Sequence, residues 1–131
     1  MKTLVVEDDF TSRLLLQEIL GVYGPVHIAI NGQEAVEAFQ RKLDAGESYN
    51  LVCMDIMMPG KNGIQALREI RTMEENKGIV SSMGAKILMT SALNDIQSKI
   101  SAFSGLCDDY LVKPIHKERL LVVLRDMKLI A

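Results

Sequence analysis

The run Leu51-Val52-Cys53-Met54 is followed directly by Asp55, so that four apolar residues end at a carboxylate. A run of this length is too short for a helix and is typical of a strand that is buried on both faces. Four further runs of the same kind are spread along the chain, at Leu4–Val6, Val26–Ile30, Ile87–Met89 and Tyr110–Val112. The sequence therefore predicts five buried strands.

Apolar residues recur at helical spacing between and after these runs. The five groups are Leu15/Leu16/Ile19/Leu20, Ala35/Val36/Phe39, Ile64/Leu67/Ile70, Ile96/Ile100/Phe103 and Leu120/Leu121/Leu124/Met127. Strands that alternate with helices indicate a parallel sheet covered on both faces, because each right-handed crossover returns to the same sheet. Ligands of such doubly wound folds bind beyond the carboxyl ends of the strands.

The composition fits one globular domain and argues against several kinds of partner. The chain has 131 residues, of which 48% are hydrophobic, and 15 basic against 17 acidic residues give a net charge of −2. Without a basic excess we expect no nucleic-acid partner. We also expect no membrane partner, because the longest apolar run, Leu120–Leu124, is too short to cross a bilayer. Cys53 and Cys107 stand alone, which favours neither a disulfide framework nor a zinc site and indicates a cytoplasmic protein.

Charged and polar residues follow four of the predicted strands, at Glu7–Asp9, Asp55, Thr90 and Lys113. The carboxyl ends of parallel strands share one edge of the sheet, so these residues should lie close together. Two carboxylates about 4 Å apart repel each other by on the order of 4 kcal/mol, and a cation is needed to offset this. A site made only of oxygen ligands favours Mg²⁺, with Mn²⁺ as the alternative, over Zn²⁺.

The same residues are suited to phosphoryl transfer. A carboxylate such as Asp55 can act as a nucleophile and form an aspartyl phosphate. Lys113 can offset the charge of the transferred group, and the hydroxyl of Thr90 can donate a hydrogen bond to one of its oxygens.

Four motifs make the likeness to a known family specific. They are Val5-Val6-Glu7-Asp8-Asp9-Phe10, Met54-Asp55-Ile56-Met57-Met58-Pro59-Gly60-Lys61-Asn62-Gly63, Met89-Thr90-Ser91-Ala92 and Tyr110-Leu111-Val112-Lys113-Pro114. In this order and spacing, the whole chain resembles the receiver domain of bacterial two-component response regulators. The resemblance implies an α/β, flavodoxin-like fold: a doubly wound parallel sheet of five strands in the order 2-1-3-4-5, with five helices. It also implies that residues 1–131 form one stand-alone receiver domain with no output domain.

The resemblance assigns roles to individual residues of these motifs. Asp55 becomes the phosphoacceptor, Lys113 pairs with the phosphoryl group, and the peptide bond between Lys113 and Pro114 is expected to be cis. Thr90 and Tyr110 become the switch residues. The implied ligands of the metal are Asp8, Asp9, Asp55 and the backbone carbonyl of Met57.

The implied function is that of a phosphoacceptor switch in a two-component system. A histidine kinase or a histidine phosphotransfer protein would donate the phosphoryl group in a Mg²⁺-dependent reaction. The phosphorylated state would change the binding of a downstream protein at the face made by helix 4, strand 5 and helix 5. Such a domain is not an enzyme in the ordinary sense, because it catalyses only its own phosphorylation and dephosphorylation.

Two alternatives remain open at this point. Within the same family, the chain could be a phosphorelay intermediate that passes its phosphoryl group on to a histidine phosphotransfer protein. A flavin-binding protein of the same fold is the more remote alternative. The acidic run Glu7–Asp9 argues against it, because that run would repel the flavin phosphate.

Two further features lead to expectations. Met57 and Ala92 stand at positions where receivers often carry polar side chains that orient the hydrolytic water, so we expect slow hydrolysis of the aspartyl phosphate. The connection 74–85 is longer than a minimal receiver needs, and we expect its apolar residues to pack locally. These residues are Ile79, Val80 and Met83.

Overall fold

The structure is a computed structural model that describes the backbone of residues 1–131 and every side chain except that of Ser81. Its strands are β1 (Thr3–Val6), β2 (Val26–Ala29), β3 (Leu51–Asp55), β4 (Lys86–Ser91) and β5 (Asp109–Val112). They form one sheet in the order β2-β1-β3-β4-β5, and every neighbouring pair is parallel. The predicted flavodoxin-like fold is therefore confirmed.

Helices connect the strands and cover both faces of the sheet. They are α1 (Phe10–Gly21), α2 (Gly32–Asp44), α3 (Gly63–Asn76), α4 (Leu93–Phe103) and α5 (Lys117–Asp126), and a short 3₁₀ turn (Ser81–Met83) precedes β4. Each helix contains the apolar group predicted for it, except that Met127 lies one residue beyond α5. Across the described part of the chain, we find no helix with the length and apolar character that a membrane span requires.

The central strands separate two apolar layers, because successive side chains of a strand point to opposite faces. Leu4 and Val52 belong to the layer that packs with α2, α3 and α4. Their neighbours Val5 and Cys53 belong to the layer that packs with α1 and α5. Burial on both faces explains why these strands are continuous apolar runs in the sequence.

The first three helices each begin after a residue whose side chain accepts a hydrogen bond from a backbone N–H of the first turn. The three capping residues are Asp9, Asn31 and Asn62. These caps fix the starts of α1 and α2 close to the carboxyl ends of β1 and β2, and the start of α3 at the end of the loop that follows β3. The polar residues between strand and helix are thereby held at one edge of the sheet.

A buried ion network holds the long connection between α3 and β4 in place. Arg71 Nη1 donates to Glu74 Oε1 and to the Ala85 carbonyl, each at 2.8 Å, and Glu74 Oε2 accepts from the Ala85 N–H at 2.8 Å. Ile79 packs against the core, as expected. Val80 and Met83, which were also expected to pack locally, are largely exposed.

Candidate functional site

Three carboxylates converge beyond the ends of β1 and β3. Glu7 and Asp8 follow β1, and Asp55 is the last residue of β3, which pairs with β1 in parallel register. One carboxylate oxygen from each of the three lies within 4.8 Å of the others. Glu7 and Asp55 are buried, whereas Asp8 is exposed, so the group opens to solvent on one side.

Lys113 supplies the positive charge of this group. Its Nζ donates to Asp55 Oδ2 at 3.0 Å and lies 2.8 Å from Glu7 Oε2 as an ion pair. Lys113 follows β5, at the far edge of the sheet, and its backbone N–H donates to the Ser91 carbonyl at 2.8 Å. The peptide bond between Lys113 and Pro114 is cis.

The burial of Glu7 shapes the electrostatics of the site. Burial raises the pKa of the Glu7 carboxyl, and the contact with Lys113 offsets only part of this effect. Burial also acts to lower the pKa of Lys113, but its contacts with Glu7 and Asp55 together raise it above its ordinary value. The ammonium therefore stays charged, and the ionised Glu7 has unfavourable energy that a bound cation would lower.

Asp9 lies outside this group, although it was expected to be a metal ligand. Its Oδ2 accepts the Ser12 N–H at 2.8 Å as the N-cap of α1, and this hydrogen bond lowers the pKa of Asp9. The carboxylate that lies with Asp8 and Asp55 is that of Glu7. The sequence carries a signal for this difference, because Asp9 immediately precedes the first helical residue, Phe10, where a capping residue belongs.

Thr90 lies beside Asp55 on the neighbouring strand. The two residues are register partners between β3 and β4. The Thr90 hydroxyl oxygen is buried, and no group among the described residues forms a hydrogen bond with it. An unpartnered buried hydroxyl is costly, and an acceptor oxygen placed near Asp55 would remove that cost.

Met57 lies on the loop that follows β3. Its backbone N–H donates to Asp55 Oδ1 at 3.2 Å, so both oxygens of the Asp55 carboxylate have a donor. The apolar side chain of Met57 is 45% exposed beside the site. Ala92, which precedes α4, is also exposed.

Tyr110 on β5 lies away from the carboxylates, toward α4. Its ring packs edge-on against Phe103 with 6.1 Å between the centroids, and the side chain is partly exposed. In the sheet, Tyr110 pairs with Met89, the residue before Thr90. The predicted switch residues therefore occupy adjacent strands.

The donor set fits a hard divalent cation. Its three ligand atoms are all carboxylate oxygens that lie close together, and the described part of the site contributes neither thiolate nor imidazole. Mg²⁺ prefers such oxygen ligands and usually keeps several of its waters, which the exposed side of Asp8 permits. A cation here would relieve the repulsion among carboxylates that Lys113 offsets in part.

Comparison with known proteins identifies relatives of this chain. The model of the family described as the response regulator receiver domain matches residues 3–125. The chemotaxis protein CheY of Bacillus subtilis strain 168 is 34% identical over 122 residues, which cover 92% of this chain and 91% of CheY. The protein PetR of Rhodobacter capsulatus is 34% identical over 119 residues, or 91% of this chain, but this chain spans only 45% of PetR.

A solved structure gives the same result for the fold. The receiver domain of a sensor histidine kinase from Pseudomonas aeruginosa PAO1 superimposes with a TM-score of 0.76 at 25% identity, over 95% of this chain and 94% of that domain. That structure has a magnesium ion coordinated in its active site cleft.

Proposed function

Because this chain belongs to the response regulator receiver domain family, whose members act in two-component signalling rather than as classical enzymes, we propose that it is a phosphorylated switch with Asp55 as the acceptor. The observation that carries the proposal is the set of groups around Asp55. A carboxylate pair, an ammonium and an unpartnered hydroxyl surround one nearly buried carboxylate. Each of these groups has a use in phosphoryl transfer.

The metal site of the proposal consists of Glu7, Asp8, Asp55 and the backbone carbonyl of Met57. Glu7 replaces Asp9 in this set because it lies with the other two carboxylates. Bound Mg²⁺, or Mn²⁺ in its place, would offset the negative charge that gathers on the transferred phosphoryl group.

The reaction is an in-line displacement at phosphorus. A carboxylate oxygen of Asp55 forms a bond to phosphorus while the bond from phosphorus to the histidine nitrogen of the donor breaks. The electron pair of that bond leaves with the histidine. Lys113, already 3.0 Å from Asp55 Oδ2, is placed to pair with an oxygen of the phosphoryl group. Water hydrolyses the resulting acyl phosphate. The reactions that the domain catalyses are its own phosphorylation and its own dephosphorylation.

Phosphorylation would change the surface near α4 and β5. The phosphoryl group adds roughly −1.5 to −2 charge at Asp55 and brings acceptor oxygens toward the unpartnered Thr90 hydroxyl. Movement of Thr90 would alter the space beside Tyr110, whose ring packs edge-on against Phe103 of α4. We infer that the face made by α4, β5 and α5 then binds a downstream protein in the cytoplasm. The donor is a histidine kinase or a histidine phosphotransfer protein, and residues 1–131 act as one receiver domain.

Labelling by a small phosphodonor tests this proposal. With acetyl phosphate and Mg²⁺, intact-mass analysis should show one added phosphoryl group, and removing the metal with a chelator should prevent the addition. Asp55→Asn should abolish labelling, while Asp126→Asn, at an exposed position at the end of α5, should leave it unchanged. Labelling that persists in Asp55→Asn would show that the acceptor is misassigned.

A further inference from the structure

The loop between β3 and α3, residues 56–62, carries two backbone groups that lie beside Asp55 or belong to the proposed metal site. The N–H of Met57 donates to Asp55 Oδ1 at 3.2 Å, and the carbonyl of Met57 is a ligand in the proposed metal site. A displacement of this loop would change the geometry of both groups. What holds the loop in place is therefore relevant to the reaction.

Three contacts hold the loop. At its base, the Gly63 N–H donates to the Ile56 carbonyl at 2.9 Å and closes the loop. The Gly32 N–H at the start of α2 donates to the Lys61 carbonyl at 3.2 Å. The Lys61 side chain lies across α3, with Nζ 2.6 Å from Glu69 Oε2.

Gly32 and Lys61 approach so closely that a side chain at position 32 would not fit between them. A Cβ added at Gly32 would lie far inside van der Waals contact of the Lys61 carbonyl oxygen and 3.0 Å from Lys61 Cγ. The backbone of Gly32 does not itself require glycine, because its φ lies outside the left-handed region. It is the approach of the loop that requires glycine here.

Residues near this contact border the same cavity as Asp8. One cavity of about 400 Å³ is bordered by Asp8, by Asn31 next to Gly32 and by Pro59 of the loop, together with Arg13 and Ile30. A shift of the loop away from α2 would therefore change the surroundings of Asp8 as well as those of Met57.

We propose that Gly32, together with the ion pair between Lys61 and Glu69, positions the β3–α3 loop for phosphoryl transfer to Asp55. The inference rests on the proposed function and extends it to residues that touch neither the phosphoryl group nor the metal. Gly32 acts through the backbone carbonyl of Lys61, and Glu69 acts through the side chain of Lys61. Both are positioning residues.

Gly32→Ala tests the first contact, and Gly21→Ala is its control. Gly21 is also a helical glycine, but a Cβ there would meet no atom within 4 Å. We expect Gly32→Ala to lower the initial rate of labelling by acetyl phosphate roughly 10- to 100-fold, the effect of misplacing groups by about 1 Å. The Mg²⁺ concentration that gives half of the maximal rate should rise. Gly21→Ala should match the wild type in both measurements.

Glu69→Gln tests the second contact without adding an atom that could disturb folding, and Glu75→Gln, at an exposed position on the same helix, is its control. We expect Glu69→Gln to slow labelling by about two- to fivefold, the size appropriate to a partly exposed ion pair. A second readout needs no donor and no metal. The backbone amide resonance of Met57 should shift in Gly32→Ala and in Glu69→Gln, and stay in place in both controls.

The outcomes are distinct. A folded Gly32→Ala protein with the wild-type Met57 resonance and the wild-type labelling rate would overturn the inference. If Gly32→Ala does not fold, Glu69→Gln decides, and an unchanged rate and resonance in that variant would overturn it as well. If the wild type itself is not labelled, the proposed function fails, while the Met57 resonance still reports whether these contacts hold the loop.

Discussion

Lys113 Nζ lies 2.8 Å from Glu7 Oε2, and the Glu7 side chain has no exposed surface. Replacing this lysine by methionine removes the ion-pair partner of both Glu7 and Asp55. We expect Lys113→Met to lower the free energy of unfolding in Mg²⁺-free buffer by about 1–3 kcal/mol. This is less than the ~3–5 kcal/mol for a fully buried pair, because Lys113 is 21% exposed.

Urea unfolding followed by circular dichroism measures this loss. Lys117→Met, at an exposed position on α5, is the control and should cost less than about 0.5 kcal/mol. Added Mg²⁺ should restore part of the stability of Lys113→Met, since the cation would supply the missing positive charge. A Lys113→Met protein as stable as the wild type would show that the ion pair contributes nothing to the fold.

Asp8 and Asp9 are neighbours in sequence, yet they should respond differently to Mg²⁺. A cation that binds only the folded protein stabilises it by about 2.7 kcal/mol at 100 times its dissociation constant. We expect thermal unfolding of the wild type and of Asp9→Asn to shift upward with Mg²⁺, and that of Asp8→Asn to stay nearly constant. Asn caps a helix about as well as Asp, so Asp9→Asn should preserve the start of α1. Loss of the Mg²⁺ effect in Asp9→Asn but not in Asp8→Asn would show that Asp9, and not Asp8, is a ligand of the metal.

The fold could be predicted from the sequence because its signals are local. Each central strand is an apolar run that is buried on both faces, and each helix repeats its apolar residues at helical spacing. The parallel order follows from the alternation and from the family resemblance. The end of β2 at Ala29 instead of Ile30 reflects a side-chain contact, because Glu34 Oε1 accepts the Ile30 N–H at 3.1 Å.

The candidate site could be predicted only in part. The motifs identified which strands contribute residues, but the choice among Glu7, Asp8 and Asp9 depends on where β1 ends and where the cap of α1 begins. A shift of one residue changes which carboxylate faces Asp55. The contact between Gly32 and Lys61 could not be predicted from spacing at all, because it joins the start of α2 to the loop after β3, and these segments meet only in the folded chain.

The side chains of Met57 and Ala92 should govern the lifetime of the aspartyl phosphate. Both are exposed and apolar, so neither can orient a water for attack on phosphorus. We expect Met57→Asn combined with Ala92→Glu to speed the loss of phosphate after the donor is removed. The gain should be about tenfold or more, in line with a positioned polar group in hydrolysis. Intact-mass analysis over time gives the rate.

A control for this double variant changes an exposed apolar residue far from the site. Val80→Asn, in the connection between α3 and β4, should leave the lifetime unchanged. Equal lifetimes in the wild type and in the double variant would mean that these two positions do not limit hydrolysis. That result would leave the assignment of Asp55 intact, because labelling and hydrolysis are measured separately.

The two cysteines should react slowly with alkylating reagents while the protein is folded. Burial raises the pKa of Cys107 to about 11, with a smaller contribution from the charge of Asp108, and burial alone raises the pKa of Cys53 to about 12. Only the thiolate is nucleophilic, so at pH 8 the reaction of Cys107 with iodoacetamide should be about 100-fold slower than for an ordinary thiol. Cys53, which is fully buried, should react only when the protein unfolds.

Alkylation followed by mass spectrometry over pH 8 to 10 tests this prediction. The alkylation rate of Cys107 should rise about tenfold per pH unit across the whole range, because the pKa of its thiol lies above pH 10. The unfolded chain loses these protons at lower pH than the folded protein, so ionisation of the thiols should reduce stability as the pH rises above about 9. Alkylation in urea is the control, and there both cysteines should react at the ordinary rate. Reaction of Cys107 in the folded protein at the urea rate would mean that its thiol is neither shielded nor shifted in pKa.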